Sequence, residues 1–294
     1  MAHYSIKDLE NLSGIKAHTI RIWEKRYNLV SPERTSTNIR LYDDQDLKKL
    51  LNISILNRNG VKISKIANMQ DDELREKINI ITQNVSDSET QIERLCVAMI
   101  EIDEEKFDEL LSKSIFQLGF EETVINIIYP FFVKIGVMWQ TGTINPAQEH
   151  FISNLVRQKL LVAIDGQRNK LNKDSKQIMM FLPEGELHEL GLLFYSYLAQ
   201  RRGFKVIYLG QSVPFQDLIE VQEIRKTEFL LTSYYSTLSE KFIRDYTWKL
   251  AETFPKQRIF ISGGYANEVL DRLPPNIELV ANPEAFIQRV ESLR

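Results

Sequence analysis

A histidine motif in the second half of the chain, followed by two further signals at long intervals, constrains the fold more than any other feature. Glu186, His188 and Gly191 form the pattern Glu-x-His-x-x-Gly. Forty-one residues lie between Gly191 and Ser233, and 29 lie between Ser233 and the pair Gly263-Gly264. Side chains this far apart in the sequence lie close together only if the fold brings the ends of several strands or helices to one edge of a sheet.

Strand and helix patterns alternate from residue 177 to the end of the chain. Short apolar runs predict strands, and the amphipathic stretches between them predict helices. This alternation is typical of a doubly wound parallel sheet of the flavodoxin-like kind. Ligands bind such sheets outside the carboxyl ends of the strands, where His188, Ser233 and the paired glycines all fall. The predicted strands are Ile178–Leu182, Phe204–Gly210, Phe229–Tyr235, Arg258–Ser262 and Leu279-Val280.

The motif and both intervals resemble those of cobalamin-binding domains, and we predict such a domain over residues 176–294. The resemblance implies that His188 is the lower axial ligand of cobalt, a role that suits an imidazole nitrogen. It also implies that Glu186 accepts a hydrogen bond from the other ring nitrogen and so fixes the orientation of the ring. Glu186 departs from the family pattern, in which Asp is the commoner residue at this position.

The serine and the glycines have roles of their own in that family. The resemblance implies that the nucleotide tail of the cofactor enters a slot lined by Ser233, which would hydrogen-bond the displaced base. Gly191, Gly263 and Gly264 would let the backbone approach the tail, where a Cβ atom would clash. Tyr235 is a second departure, because Leu is usual there, and it predicts a slot of a different shape.

The first 70 residues differ in charge and pattern from the rest of the chain. They contain 12 Lys and Arg against seven Asp and Glu, whereas the remainder has a net charge of −8. Ser5, with Asp8 three residues later, predicts a capped helix that ends at Ser13-Gly14. A second helix over about residues 17–25 completes the outline of a helix-turn-helix. Residues 34–38 predict a loop, and Ile39–Tyr42 predicts a short strand.

This pattern resembles the winged helix-turn-helix of the MerR family over about residues 3–70, in a domain predicted to span residues 1–75. The resemblance implies that Thr19 and Arg21 enter the major groove of double-stranded DNA. It implies that Arg34, Arg40 and Tyr42 on the wing contact phosphates and sugars. Arg26 fits either a phosphate contact or a solvated arginine. The similar residues are Thr19-Ile20-Arg21-x-Trp23-Glu24, Arg34, Asn38–Tyr42 and Asp46-Leu47.

Residues 68–90 predict a connector rather than the long coiled-coil helix through which MerR regulators usually dimerise. They contain the acidic run Asp71–Glu73 and the polar stretch Asn84–Ser88. We therefore expect another part of the chain to form the oligomer.

Four amphipathic helices are predicted between residues 90 and 166, as in an up-down bundle. Trp139, Glu149 and His150 resemble residues in the helical cap of the light-sensing CarH/LitR branch of the MerR family. The resemblance implies that Trp139 covers the upper face of the corrin and that Glu149 and His150 contact the adenosyl group. Considered without the His188 motif, Trp139 could simply anchor the helical bundle, and Glu149 and His150 could be exposed polar residues at the start of a helix. Gln140 departs from that branch, which often has a cobalt-binding His there.

Composition limits the class of protein and its compartment. The single cysteine, Cys96, excludes an internal disulfide framework and suits a reducing cytoplasm. The chain has no signal-peptide pattern and no run of about 18 apolar residues, so neither secretion nor a membrane is expected.

The sequence as a whole indicates a cytoplasmic, non-enzymatic transcriptional regulator that senses adenosylcobalamin and light. We expect it to bind operator DNA as a homo-oligomer, a dimer or a tetramer, whose assembly depends on the cofactor lodged between the helical cap and the sheet domain. Two alternatives stay open. One is a MerR-type regulator that does not use cobalamin and is controlled by a protein partner, and the other is a corrinoid methyl-carrier protein.

Overall fold

The structure is a computed structural model that describes residues 4–35, 38–81, 88–140, 144–167, 175–235 and 238–293. The chain divides into two compact units, Met1–Leu155 and Val156–Arg294. The division falls inside the helix Pro146–Asp165.

The N-terminal part has the predicted helix-turn-helix with a small two-stranded wing. Ser5 and Asp8 form a reciprocal capping box at its first helix, as predicted, and Gly14 ends that helix with a φ of 70°. Arg34 belongs to a strand that pairs antiparallel with the second strand, so the predicted loop begins one residue later than expected. The elements are α1 (Ile6–Ser13), α2 (Ala17–Tyr27), β1 (Glu33–Arg34), β2 (Arg40–Leu41), α3 (Asp44–Arg58) and α4 (Ile63–Ile66).

The predicted connector over residues 68–90 is wrong in part, because residues 71–81 form the helix α5 (Asp71–Ile81). Leu74 and Ile78 lie four residues apart and are both buried, so the helix has an apolar face that packs inward. Asp72 and Glu73 belong to its first turn, where the helix dipole favours negative charge. The acidic run Asp71–Glu73 therefore marks the start of a helix rather than a loop.

The helical region has the four predicted helices, with the third interrupted. Val124–Ile128 is a π-helical turn in which Tyr129 N–H bonds to Val124 O, directly before Pro130. Proline has no N–H and its ring clashes with the preceding turn, which accounts for the widening there. Asn145 caps the last helix, as predicted. The elements are α6 (Ser88–Glu101), α7 (Glu104–Leu118), α8 (Phe120–Thr123), α9 (Tyr129–Gln140) and α10 (Pro146–Asp165).

Among the residues that the structure describes, one helical stretch, Phe120–Trp139, is long and apolar enough to match a membrane span by length and composition, and 39% of its apolar 18-residue window is buried. A single match of this kind is weak evidence for a span, because the core helices of globular proteins give the same result.

The C-terminal unit contains the predicted doubly wound sheet, in which all five strands are parallel. The strand order is β4-β3-β5-β6-β7, which is the flavodoxin-like order. The short helix α14 was not predicted. The elements are β3 (Gln177–Pro183), α11 (Leu190–Arg201), β4 (Lys205–Val213), α12 (Phe215–Ile224), β5 (Phe229–Ser233), α13 (Glu240–Thr253), β6 (Arg258–Ser262), α14 (Gly264–Val269), β7 (Ile277–Leu279) and α15 (Pro283–Ser292).

The order of the strands determines where a ligand can bind. Strands β3 and β5 are neighbours, although β4 lies between them in the sequence and was added on the other side of β3. The connections therefore leave the sheet in opposite directions at the β3/β5 boundary, and a crevice opens at the carboxyl ends of these two strands. His188 follows β3 and Ser233 ends β5, so both belong to this crevice.

Candidate functional site

The loop that carries His188 is organised by one buried carboxylate. Glu186 is fully buried, and its Oε1 lies 2.7 Å from His188 Nδ1. The same oxygen accepts backbone hydrogen bonds from Leu187 N (2.9 Å) and His188 N (3.0 Å). The other oxygen, Oε2, accepts from Tyr235 N at 3.2 Å, so this carboxylate joins the loop after β3 to the loop after β5.

These contacts determine which ring nitrogen of His188 carries the proton. Glu186 Oε1 already accepts two backbone N–H groups, so it acts as the acceptor and Nδ1 as the donor in its contact with His188. The neutral imidazole then presents a lone pair at Nε2, which is the form that binds a metal. The His188 side chain is 59% exposed, so the ring extends from the edge of the sheet toward a possible ligand.

The end of β4 supports the His188 loop from the side. Ser212 Oγ accepts a hydrogen bond from Gly185 N at 3.1 Å, and Ser212 N donates to Glu186 O at 3.1 Å. Ser212 has a φ of 49°, which few residues other than Gly, Asn and Asp adopt. Gln211 also donates to Leu187 O. The loop that carries His188 is therefore held by hydrogen bonds from the end of β4 as well as by those of Glu186. These contacts fix the position of the histidine before a ligand binds.

Next to His188 lies a second polar network that the sequence did not predict. Glu189 is buried, and it accepts hydrogen bonds from Arg157 Nε (2.6 Å) and from Tyr208 Oη (2.9 Å). Burial raises the pKa of Tyr208, and the charge of Glu189 raises it further, so the phenol stays protonated and donates. Glu189 directly precedes the helix α11, and the network fixes the end of the His188 loop.

The carboxyl ends of β5 and β6 meet in a tight, fully buried contact. Ser233 and Ser262 are paired across the two strands, and their hydroxyl oxygens lie 2.6 Å apart. Gly263 has a φ of 102°, and a Cβ atom there would lie 2.1 Å from Tyr234 O. Only glycine satisfies both conditions. Gly264 has no such restriction, since nothing lies within 4 Å of its Cβ position.

The third predicted glycine, Gly191, is in contact with a side chain rather than with backbone. A Cβ atom at Gly191 would lie 2.0 Å from Tyr235 Oη and 3.2 Å from Tyr235 Cζ. The Tyr235 ring is also 6.1 Å from the His188 ring between centroids. The structure thus brings Glu186, His188, Gly191 and Tyr235 together at the β3/β5 crevice.

The predicted cap residues lie at the ends of two helices in the helical region. Trp139 is 49% exposed near the end of α9, where an indole of this kind could cover a flat ligand. Glu149 in the first turn of α10 accepts a hydrogen bond from Ser153 Oγ at 2.7 Å, and its Oε2 lies 3.1 Å from His150 Nδ1. The side chain of Gln140 lies outside the described residues.

The predicted DNA-contacting residues are distributed between α2 and the wing. Arg21 and Arg26 are exposed on α2, and Thr19 is half-buried on the same helix. The Arg26 guanidinium lies 5.4 Å from the centre of the Tyr27 ring, a cation–π contact that leaves its charge near the surface. These positions suit contacts with a polyanion.

The wing arginines are organised by Glu24 on α2. Arg40 Nε donates to Glu24 Oε2 at 2.9 Å, and Arg34 Nη2 lies 3.8 Å from Glu24 Oε1. Tyr42 does not fit the predicted DNA contact in this structure, because the residue is fully buried and its hydroxyl donates to Glu24 Oε2 at 3.5 Å. Burial raises the pKa of Tyr42 to about 12. Tyr42 therefore packs the wing against α2 instead of facing DNA.

Sequence reasoning did not identify several residues of these sites. Ser262 could have been found, because it ends the predicted strand that directly precedes the paired glycines. Arg157 and Tyr208 could not be identified from the sequence, because no local pattern indicates that α10 and the edge strand β4 meet at Glu189.

Two family models and two repressors are similar to this chain in sequence. A family model described as MerR HTH family regulatory protein matches residues 4–73, and one described as B12 binding domain matches residues 91–163. The HTH-type transcriptional repressor CarH of Myxococcus xanthus is 27% identical to this chain over 270 residues, which are 90% of this chain and 89% of that protein. The repressor CarA of the same organism is 24% identical over 212 residues, 71% of this chain and 68% of that protein.

Among solved structures, the monomethylamine corrinoid protein of Methanosarcina barkeri matches with a TM-score of 0.52 and 16% sequence identity. The match covers 67% of this chain and 95% of that one, and it is a likeness of fold alone. The resemblance to MerR-type regulators that carry a cobalamin-binding domain is confirmed by the two family models together with the repressors.

Proposed function

We propose that the chain is a MerR-type transcriptional regulator with a B12-binding domain, and that it senses adenosylcobalamin and light to control its binding to operator DNA. The observation that carries the proposal is the exposed His188 ring held by the buried Glu186 carboxylate at the β3/β5 crevice. We propose that the protein acts in the cytoplasm and is a regulator rather than an enzyme.

The residues of the crevice fit a corrinoid. His188 would hold the cobalt of a bound corrinoid, because an imidazole nitrogen suits that metal. Glu186 orients the ring and raises its basicity, as carboxylate partners of metal-binding histidines do. The buried hydroxyls of Ser233 and Ser262 bond each other beside the crevice, and Gly264 exposes backbone at the next strand end.

We further propose that Trp139, Glu149 and His150 contact the adenosyl side of the cofactor. When bound, adenosylcobalamin would supply a Co–C bond that visible light can break. The indole of Trp139 would exclude water from that side, and loss of the adenosyl group would leave its exposed surface without a partner. A ligand state that interacts differently with two assemblies shifts the population between them, as a switch requires.

On the DNA, Arg21 and Thr19 would contact base edges, while Arg26, Arg34 and Arg40 would contact phosphates. Guanidinium groups form paired hydrogen bonds to phosphate oxygens and so set the position of the protein on the duplex. Glu24 would hold the wing arginines in place until phosphates compete for them.

Absorption spectroscopy in the dark tests the cofactor assignment. We expect the wild-type protein to bind adenosylcobalamin with the spectrum of a histidine-ligated form, and His188→Ala to lose that spectrum or at least tenfold in affinity. His18→Ala is the matched control, because His18 lies exposed on α2, and it should bind as the wild type does. An unchanged spectrum and affinity in His188→Ala would show that this histidine is not the ligand.

Size-exclusion chromatography with light scattering tests the switch on cofactor-free, dark-loaded and illuminated protein. We expect a homo-oligomer, dimer or tetramer, whose mass differs between the dark-loaded and illuminated samples. Trp139→Ala should abolish the difference while keeping the dark spectrum, and Trp248→Ala is the control, since the two tryptophans are 49% and 48% exposed. Identical masses in all three samples would contradict the switch and favour a regulator controlled by a protein partner.

A further inference from the structure

Tyr235 fills the space between the end of β5 and the start of α11. Its hydroxyl oxygen lies where a Cβ atom at Gly191 would be, within 2.0 Å of that ideal position. Gly191 is the second residue of α11, so the phenol lies against the first turn of this helix. The missing Cβ of Gly191 leaves a hollow, and in this structure the phenol of Tyr235 occupies it.

Hydrogen bonds to two other strand ends hold the backbone N–H groups of Tyr234 and Tyr235. Tyr235 N donates to Glu186 Oε2 at 3.2 Å, and Tyr234 N donates to Ser262 O at 2.9 Å. Tyr234 O lies against Gly263 so closely that a Cβ atom there would be 2.1 Å away. Tyr234 itself is fully buried. These contacts hold the backbone of Tyr234 and the N–H of Tyr235, so rotation of the Tyr235 side chain is the smallest movement that opens the space beside Gly191.

We propose that Tyr235 determines which corrinoids this site accepts, because its phenol occupies the entrance that the nucleotide tail of a cobalamin must use. The inference rests on the proposed function, in which a corrinoid binds at His188. A corrinoid with a nucleotide tail has to displace the phenol, whereas one without the tail reaches His188 with the phenol in place. The apparent affinity is the intrinsic affinity multiplied by the fraction of protein in which the phenol is turned away. If that fraction is about a tenth, binding is weakened about tenfold.

Binding of cobalamin and cobinamide in the dark tests the proposal, because cobinamide has the same corrin without the nucleotide tail. Tyr235→Leu should raise the affinity for cobalamin relative to cobinamide by about tenfold, since the shorter side chain does not reach Gly191. Tyr235→Phe, which keeps the ring, should change the ratio much less. Tyr197→Phe is the control for loss of a phenol hydroxyl, because the Tyr197 hydroxyl accepts from Arg201 and belongs to neither network at the His188 loop, and it should leave the ratio as in the wild type.

A double-mutant cycle on cofactor-free protein tests the geometry without any ligand. Gly191→Ala should lower the melting temperature of the wild type, because the new Cβ collides with the phenol. The same substitution in the Tyr235→Leu background should be neutral or stabilising, since alanine favours a helix more than glycine does. Equal effects of Gly191→Ala in both backgrounds would overturn the placement of the phenol.

The outcomes separate the specificity proposal from the proposed function. An unchanged affinity ratio in Tyr235→Leu, or a loss of cobalamin affinity alone, would overturn the role of Tyr235 while leaving corrinoid binding intact. Failure of every variant and of the wild type to bind either corrinoid would instead contradict the proposed function. The melting cycle would still report where the phenol lies.

Discussion

Glu93 on α6 carries an almost completely buried carboxyl group, and we predict that it makes the N-terminal unit less stable as the pH rises. Its side chain is 1% exposed, and Arg58 Nη2 donates a 2.5 Å hydrogen bond to its Oε2. The second oxygen, Oε1, has no hydrogen-bond partner among the residues that the structure describes. Burial raises the pKa of Glu93 from 4.5 to about 7, although the charges of Arg58 and Lys134 oppose the rise.

The size of the effect follows from this rise in pKa. Each unit of difference between the folded and unfolded states corresponds to ~1.36 kcal/mol, so a rise from 4.5 to about 7 corresponds to about 3 kcal/mol. The folded state binds the proton more tightly, so this stability is fully present below the unfolded pKa and is lost as the pH rises through about 7. In a unit of this size, about 3 kcal/mol shifts the melting temperature by roughly 6–12 °C.

Glu93→Gln isolates this contribution, because the amide has the shape of the protonated carboxyl group and cannot ionise. We expect the melting temperature of the full chain, followed by circular dichroism from about pH 5 to pH 8, to fall less steeply in Glu93→Gln than in the wild type. Glu101→Gln is the matched control, because Glu101 pairs with Lys48 between the same two helices and its side chain is 32% exposed. Parallel curves for the wild type and Glu93→Gln would refute the reasoning.

Three further predictions use other parts of the structure. Gly263→Ala should destabilise the C-terminal unit by about 1–3 kcal/mol or more, because the backbone has a positive φ and the new Cβ would collide with Tyr234 O. Gly264→Ala is the control in the same thermal melting experiment and should be tolerated. Cys96 is buried and its pKa is raised to about 12, so a thiol reagent should label it only after denaturant is added, and rapid labelling of native protein would contradict this. Arg40→Ala should weaken binding to all DNA sequences alike and lower the slope of log affinity against log salt by about 0.9, which titrations at several salt concentrations would measure.

The C-terminal fold could be predicted from the sequence because its strands are buried on both faces. Such strands form continuous apolar runs, and the residues 178–183 of β3 are all buried. The position of His188, Ser233 and the paired glycines followed from the rule that ligands bind at the carboxyl ends of parallel strands. Capping residues likewise predicted the first helix, since Ser5 and Asp8 bond each other's backbone as local chemistry requires.

The parts that could not be predicted depend on contacts between residues that are distant in the sequence. Tyr42 was predicted to contact DNA, yet only the fold shows that it pairs with Glu24 inside the domain. The polar residues after Asp71 concealed the buried positions Leu74 and Ile78, because the apolar face of α5 contains few residues. The contact between Tyr235 and Gly191 also has no local signal, since 43 residues lie between them.

Within the N-terminal unit, packed helices connect the helical region to the winged domain, and we predict that a movement of the helical region passes along them to the DNA-binding residues. The helix α9, which carries Trp139, contacts both α6 and α1, and α6 packs along α3 of the winged domain. Ion pairs fix the packing of α3 against α6 at two separate points, Lys48 with Glu101 and Arg58 with Glu93. Because packed helices tend to move together rather than deform, we expect a displacement of α9 to change the orientation of the winged domain. Removal of both ion pairs, in Lys48→Met/Arg58→Met, should therefore leave dark binding of the cofactor intact and weaken its effect on DNA affinity. An unchanged effect would exclude the contact of α3 with α6 as the path.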